Sequence, residues 1–370
     1  MNEKADKRDS IVGLVSKALS KLKSKQQVAQ ELRNSGKLNA LRLEEIKNGA
    51  NPWKILRYRH IIEPSETPLV LPYNSYTTPK VFEEHLRYIA FDCNPLPMAE
   101  LVRLIHFNEP IPERAVALTF DCGHSDFFLN AFPLLLKYEI PATVCLPTAY
   151  INCDSFFIND RVRIALIALQ KIKLPLPEFK FLDPKLYEVL KKSSPVLEIN
   201  DLLINYFVEF ISTCDEASRV HLLSVLAQEL STCVELPTYE DFLRWEDIQL
   251  MSEKGVTFAS MGHGHIYPLA VTKADFIRDV QQSLEVFMAR ELPLEKYFCL
   301  VEGGFSKDVL QALADIKYLY ALSLGESPPL AKQTTLTKTL PRVLISEETA
   351  PTIDIFACRT WQVKSDGFVY

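Results

Sequence analysis

From about residue 54 onward, short apolar runs of strand length alternate with amphipathic segments of helical period, and few folds admit that grammar. ILRYRHII (55–62), AVALTF (115–120), PATVCLP (141–147), GVTFAS (255–260), YFCLV (297–301), YLYALSL (318–324) and RVLI (342–345) read as strands. PKVFEEHLRYIA (79–90) and MAELVRLIHF (98–107) read as helices, and further helices fall between the late strands. Strands that are apolar along their length, rather than at alternate positions, expect cover on both faces. A parallel sheet wrapped by helices, open or closed, provides it. Residues 160–232 break the alternation with long Leu-rich helical stretches and read as an insertion. The expected organisation is a helical, Lys-rich extension over 1–53 and a body over 54–370, the body carrying a helical insertion at about 155–240.

The 370 residues are 48% hydrophobic and 24% charged, enough to bury a large core. Charge is unevenly placed: residues 1–50 carry 11 Lys/Arg against 6 Asp/Glu, whereas the remainder carries 30 against 41. An acidic body argues against nucleic acid as the partner, because phosphate binding needs a basic face. The basic head contains a helix over 10–33, with Ser10 as its cap and Ile11, Leu14, Val15, Ala18, Leu19 and Leu22 on one face. Two readings stand for it: a helix packed on the body or on a protein partner, or a peripheral membrane helix drawn to anionic lipid by its lysines. The eight cysteines are scattered without a CxxC pair, which reads as free thiols in a reducing compartment. No apolar run approaches a membrane span and no secretory leader is recognisable, so a cytoplasmic location is expected.

In sheets of this kind, chemistry sits at the carboxyl ends of strands. Three such ends carry candidates: Asp121, Cys122, His124 and Asp126 after AVALTF; Met261, His263 and His265 after GVTFAS; Glu302 after YFCLV. Arg342 lies on the last strand. His124 follows a turn glycine and is expected to face solvent, and Asp126 to cap the helix near Phe127. Asp160 and Arg161 read as an ion pair orienting the insertion.

VALTFDCGHSD followed by NAFPLLLKYEIPATVCLPTAYI resembles the first motif region of the polysaccharide deacetylases (the NodB homology domain). That family's usual pattern is TFDDG, then a helix, then an IPATFF-type strand. Further blocks agree in order: FEEHLRYI upstream, FFINDRV after the second strand, WEDIQLMSEKGVTFASM approaching the second motif, YFCLVEGGFSKDVL and LPRV later. The resemblance covers about residues 55–346. It implies a distorted parallel (β/α)7-type barrel with a divalent metal, most readily zinc, at the mouth, acting on a saccharide.

The family's chemistry uses the first aspartate of its pair as general base. The second binds the metal together with two histidines spaced H-x-x-x-H, and the metal lowers the pKa of a bound water. Asp121 stands where the base would be, but Cys122 replaces the metal-binding aspartate. Ungapped alignment from Trp245 places Met261 on the first histidine and His265 on the second, with His263 beside them. Three readings follow. A rebuilt metal site would use Cys122, His263 and His265, since thiolate and imidazole suit zinc. A Cys122 nucleophile would pair with a histidine. A silent barrel would hold no metal and would bind a glycan or a protein. Glu302, Arg342 and His124 are the candidate saccharide contacts, and the basic helix would suit a lipid-linked substrate.

Overall fold

Period-two alternation within strands buried on both faces organises this molecule. The computed structural model describes residues 24–66, 75–153, 157, 241–324, 330–365 and 367–370. Apart from Phe157, the expected insertion, the first half of the 10–33 helix and the Asp160–Arg161 pair lie outside the described residues.

Seven strands make the main sheet, numbered here in chain order: β1 Lys54–Tyr58, β2 Ala115–Asp121, β3 Ala142–Leu146, β4 Thr257–Ser260, β5 Tyr297–Cys299, β6 Tyr320–Leu324 and β7 Lys338–Leu344. They run β4-β3-β2-β1-β7-β6-β5 and every neighbouring pair is parallel. The edge strands β4 and β5 lie against each other without pairing, so the sheet is a nearly closed, distorted (β/α) barrel. Two-residue Asn94–Pro95 adds to the start of β2, and His60–Ile61 pairs with Tyr76–Thr77 just beyond β1. The seventh strand is longer than its apolar stretch suggests. It starts at Lys338 and passes through Pro341, whose missing N–H makes this stretch read as a boundary.

One set of alternate residues fills the barrel: Ile55, Ala117, Cys145, Ala259, Cys299 and Leu322 among them. The opposite set, including Leu56, Tyr58, Leu118, Phe120 and Val144, packs outward under helices Pro79–Asp92 and Ile353–Trp361. Helices Lys273–Ala289 and Lys307–Asp315 cover Phe298, Leu300 and Ala321. Hydroxyl residues begin all four helices: Thr78, Thr272, Ser306 and Thr352 each accept an N–H from the first turn. Phe127–Ala131 is a π turn that leads into helix Phe132–Lys137, where Pro133 brings no N–H to the ladder.

Helical residues 24–34 dock on the body. Ala29 and Leu32 join the outer core, Arg33 pairs with Asp354 at 3.0 Å, and the Tyr370 hydroxyl donates to the Lys25 carbonyl at 2.9 Å. Among the described residues, no helix is long and apolar enough to cross a membrane.

His85 sits in this outer core, stacked on Phe356 at 3.9 Å, with Nε2 against the Ala350 carbonyl at 2.8 Å. Burial lowers its pKa to about 3 from 6.5. The unfolded chain therefore binds the proton first, and this contribution to stability is present above pH 6.5 and lost as pH falls toward 3. From pH 7 to 5 the loss from this group is about 2 kcal/mol. Denaturant titrations at the two pH values should show it, and His85→Gln should remove most of that difference.

Candidate functional site

The barrel's inward alternation brings three charged side chains together. Arg57 comes from β1, Asp121 from the end of β2 and Arg342 from β7, and all three side chains are buried. Arg57 Nε donates to Asp121 Oδ2 at 2.8 Å. Arg342 donates from Nη1 to Oδ1 at 2.6 Å and from Nη2 to Oδ2 at 3.1 Å, the two-pronged fit of guanidinium on carboxylate. Arg342 Nη1 also reaches Thr119 Oγ1 at 3.3 Å, and Cys299 Sγ contacts Asp121 Oδ1 at 3.3 Å. Burial alone would raise the Asp121 pKa. The attraction of Arg342 and then Arg57 outweighs it and holds the carboxyl well below the usual range. Arg342 is thus bonded inside the barrel and turned away from solvent.

At Cys122 the chain leaves β2 with φ of 79°, a left-handed conformation that a residue with a Cβ adopts at a cost. The Cys122 thiol is buried in the same apolar cluster as Met261, Phe157 and Phe242, with Sγ 3.5 Å from His265 Nε2. Burial pushes this thiol well above its ordinary pKa, so it is neutral at physiological pH. His265 (φ 52°) stacks on Phe157 at 3.8 Å, and Glu302 (φ 49°) reaches Arg59 at 3.6 Å. Positive φ thus recurs at three of the residues singled out in sequence. Glu302 keeps 46% of its side chain exposed at the mouth.

The loop carrying the histidines is built on Asp279, from helix Lys273–Ala289. Its carboxylate accepts His263 N at 3.0 Å and Gly264 N at 2.6 Å. A Cβ on Gly262 (φ 88°) would lie 2.2 Å from Asp279 Oδ2, so only glycine fits between them. His263 Nδ1 is 2.9 Å from Thr148 Oγ1.

Two expectations change here. His124 does not face solvent: it is buried, stacked on His60 at 4.0 Å and on Phe242 at 5.2 Å, and burial holds its pKa well below the ordinary value. The aromatic residues that close over it could not be anticipated from its own neighbours in the chain. Asp126 does not cap the helix; it accepts Ile61 N at 3.0 Å and lies 2.7 Å from His60 Nδ1. Arg57, Arg59, His60, Cys299 and Asp279 were not singled out from sequence. The pair Arg57 and Arg59 was readable, because two arginines spaced by two in a buried strand share a face and must meet a partner.

The expected metal can be tested against these donors. Among the described residues, the cluster of three metal-type donors within 4.8 Å of one another is Asp121, Cys145 and Cys299; Cys122, His263 and His265 do not form one. Asp121 already uses both oxygens on arginines, and two guanidinium groups repel a cation there. At the mouth the pairing is one neutral, buried thiol with one imidazole, and Met261 offers only a thioether. Neither group fits a divalent metal that must polarise a carbonyl.

Removing Asp121 strands two buried guanidinium groups. Asp121→Ala should cost about 3–5 kcal/mol. Arg342→Met should cost a comparable amount, and the double variant should lose clearly less than the sum of the singles. Chemical denaturation of the four proteins measures this cycle.

No family model matches this chain. A poly-beta-1,6-N-acetyl-D-glucosamine N-deacetylase from Escherichia coli is 38% identical over 48 residues, which is 13% of this chain and 7% of the relative's length. Among solved structures, IcaB from Ammonifex degensii superposes with a TM-score of 0.52 at 11% identity, covering 83% of this chain and 97% of the other. A de-N-acetylase from Aggregatibacter actinomycetemcomitans superposes with a TM-score of 0.50 at 12% identity, covering 82% and 99%. The order of the motif blocks in the sequence and the barrel they build agree with these superpositions: the chain has the polysaccharide-deacetylase fold.

Proposed function

We propose that this chain is a polysaccharide-deacetylase-like protein of glycan metabolism that binds a saccharide at the barrel mouth and does not hydrolyse it through a metal-bound water. One observation carries the reading. Both oxygens of Asp121 are occupied by Arg57 and Arg342, so the carboxylate serves as their counter-ion and is a poor acceptor for a water's proton. Tyr150, Tyr267, His263, His265 and Glu302 are partly exposed around the opening, a mixture of ring faces and polar tips that suits a sugar. The names of the relatives, a poly-N-acetylglucosamine deacetylase among them, support N-acetylated saccharide as the class to try first.

A hydrolytic alternative has one contact in its favour, the 3.5 Å approach of Cys122 Sγ to His265 Nε2. Metal binding there would require the thiolate, and burial opposes it; the same burial opposes a thiol nucleophile. The packing of residues 24–34 against the C-terminal helix supports a structural role for that part of the basic head, over contact with a membrane or a lipid-linked substrate. A reducing, cytoplasmic setting is part of the proposal, supported by six described cysteines that are all free.

Elemental mass spectrometry after zinc loading, an acetate-release assay on N-acetylglucosamine oligomers and calorimetry with the same oligomers separate the readings. The expected result is substoichiometric zinc, no acetate above a heat-treated control, and saturable oligomer binding weakened by Glu302→Ala. One zinc per chain that is lost in Cys122→Ala, together with acetate release, would establish the hydrolytic reading instead.

A further inference from the structure

The far end of the barrel holds a cavity of about 430 Å³ with no part in the site above. It forms where the start of β1, the middle of β7, the ends of helices Lys37–Lys47 and Ile353–Trp361, and the C-terminal residues meet. Lys54, Arg359 and Lys364 line it, and Glu45 is the one acidic side chain among the described lining residues. Arg342 also borders it, but its charge is already matched by Asp121.

The two inner cations are incompletely matched. Lys54 is only 7% exposed, and its Nζ donates to Gln362 Oε1 at 3.0 Å, one acceptor for an ammonium with three N–H groups. Arg359 is half-buried and donates from Nε to the Leu344 carbonyl at 3.2 Å. Neither forms a salt bridge with a described residue. Burial lowers Lys54 to about 8, opposed only by Glu45, and lowers Arg359 with no acid opposing it. Buried cations are ordinarily paired, so two facing one cavity call for an anion. The two helix C-termini that flank the cavity would work against one, but their last carbonyls are turned onto capping N–H groups: Asn48 N onto Glu44 and Ile46, Gln362 N onto Arg359 and Cys358.

We propose that this cavity binds a small phosphorylated metabolite, its phosphate drawn by Lys54 and Arg359. A guanidinium offers paired N–H groups to phosphate oxygens and an ammonium adds a compact charge. The volume lies within the range of about 300–1,000 Å³ usual for small-molecule sites. Asn48 and Asn51 supply amides for hydroxyl groups, and Trp53 lines one wall.

Calorimetry on the full chain at fixed ionic strength tests this with glucose 6-phosphate, AMP, inorganic phosphate and glucose. The expected result is saturable binding of at least one of the two phosphate monoesters, tighter than that of inorganic phosphate and absent for glucose. Affinity should fall about tenfold or more in Lys54→Met and in Arg359→Gln, a loss of about 1.4 kcal/mol per tenfold step. Lys54→Met removes a buried charge, so its melting temperature should hold and it decides the matter if Arg359→Gln folds poorly. No saturable binding of either monoester, affinities unchanged in the variants, or inorganic phosphate binding as tightly as the esters would each overturn the proposal.

Discussion

A single carboxylate held between two guanidinium groups organises the interior of this barrel. Arg57 and Arg342 come from adjacent strands β1 and β7, and Asp121 from β2 on the other side of β1. Their union inside the barrel ties three consecutive strands of the sheet. None of the three could be buried alone, because an isolated charge loses far more in leaving water than packing returns. Together they form a charged layer where a barrel of this size would otherwise need apolar side chains, and Thr119 and Cys299 complete the bonding around it.

That layer sits directly beneath the position where the deacetylase pattern expects its second aspartate. Cys122 presents a neutral thiol at that position, in the same buried apolar cluster as Met261, Phe157 and Phe242. The histidine loop keeps its shape for a reason unrelated to metal: Asp279 accepts two of its amides and Gly262 leaves room for that carboxylate. The scaffold of the site is therefore maintained by hydrogen bonds of its own.

Much of this was legible in the sequence. Apolar runs of strand length located all seven barrel strands, because strands buried on both faces have no polar alternation to obscure them. The helix over Met98–Phe107 and the helix beginning at Pro79 follow from their amphipathic period. The Lys338–Pro341 half of β7 was hidden by a proline inside the strand. At the site, motif order placed Asp121, Cys122 and His265 near one another. The partners of Asp121 were not visible, since Arg57 and Arg342 lie 64 and 221 residues away and pairing across a barrel is decided by register. For the same reason His124 looked solvent-facing in a Gly-rich turn, whereas Phe242, more than a hundred residues later, covers it.

The most direct test of this account is the ionisation of Asp121 itself, followed by ¹³C NMR of its side-chain carboxyl in protein labelled at aspartate, with assignment by Asp121→Asn. The account predicts a resonance that stays at the ionised position as pH falls through 3.8, the ordinary aspartate value, and as far as the protein remains folded. A carboxyl that titrates at or above that value would contradict it, because the arginines would then not be holding the charge and Asp121 would be free to act as a base.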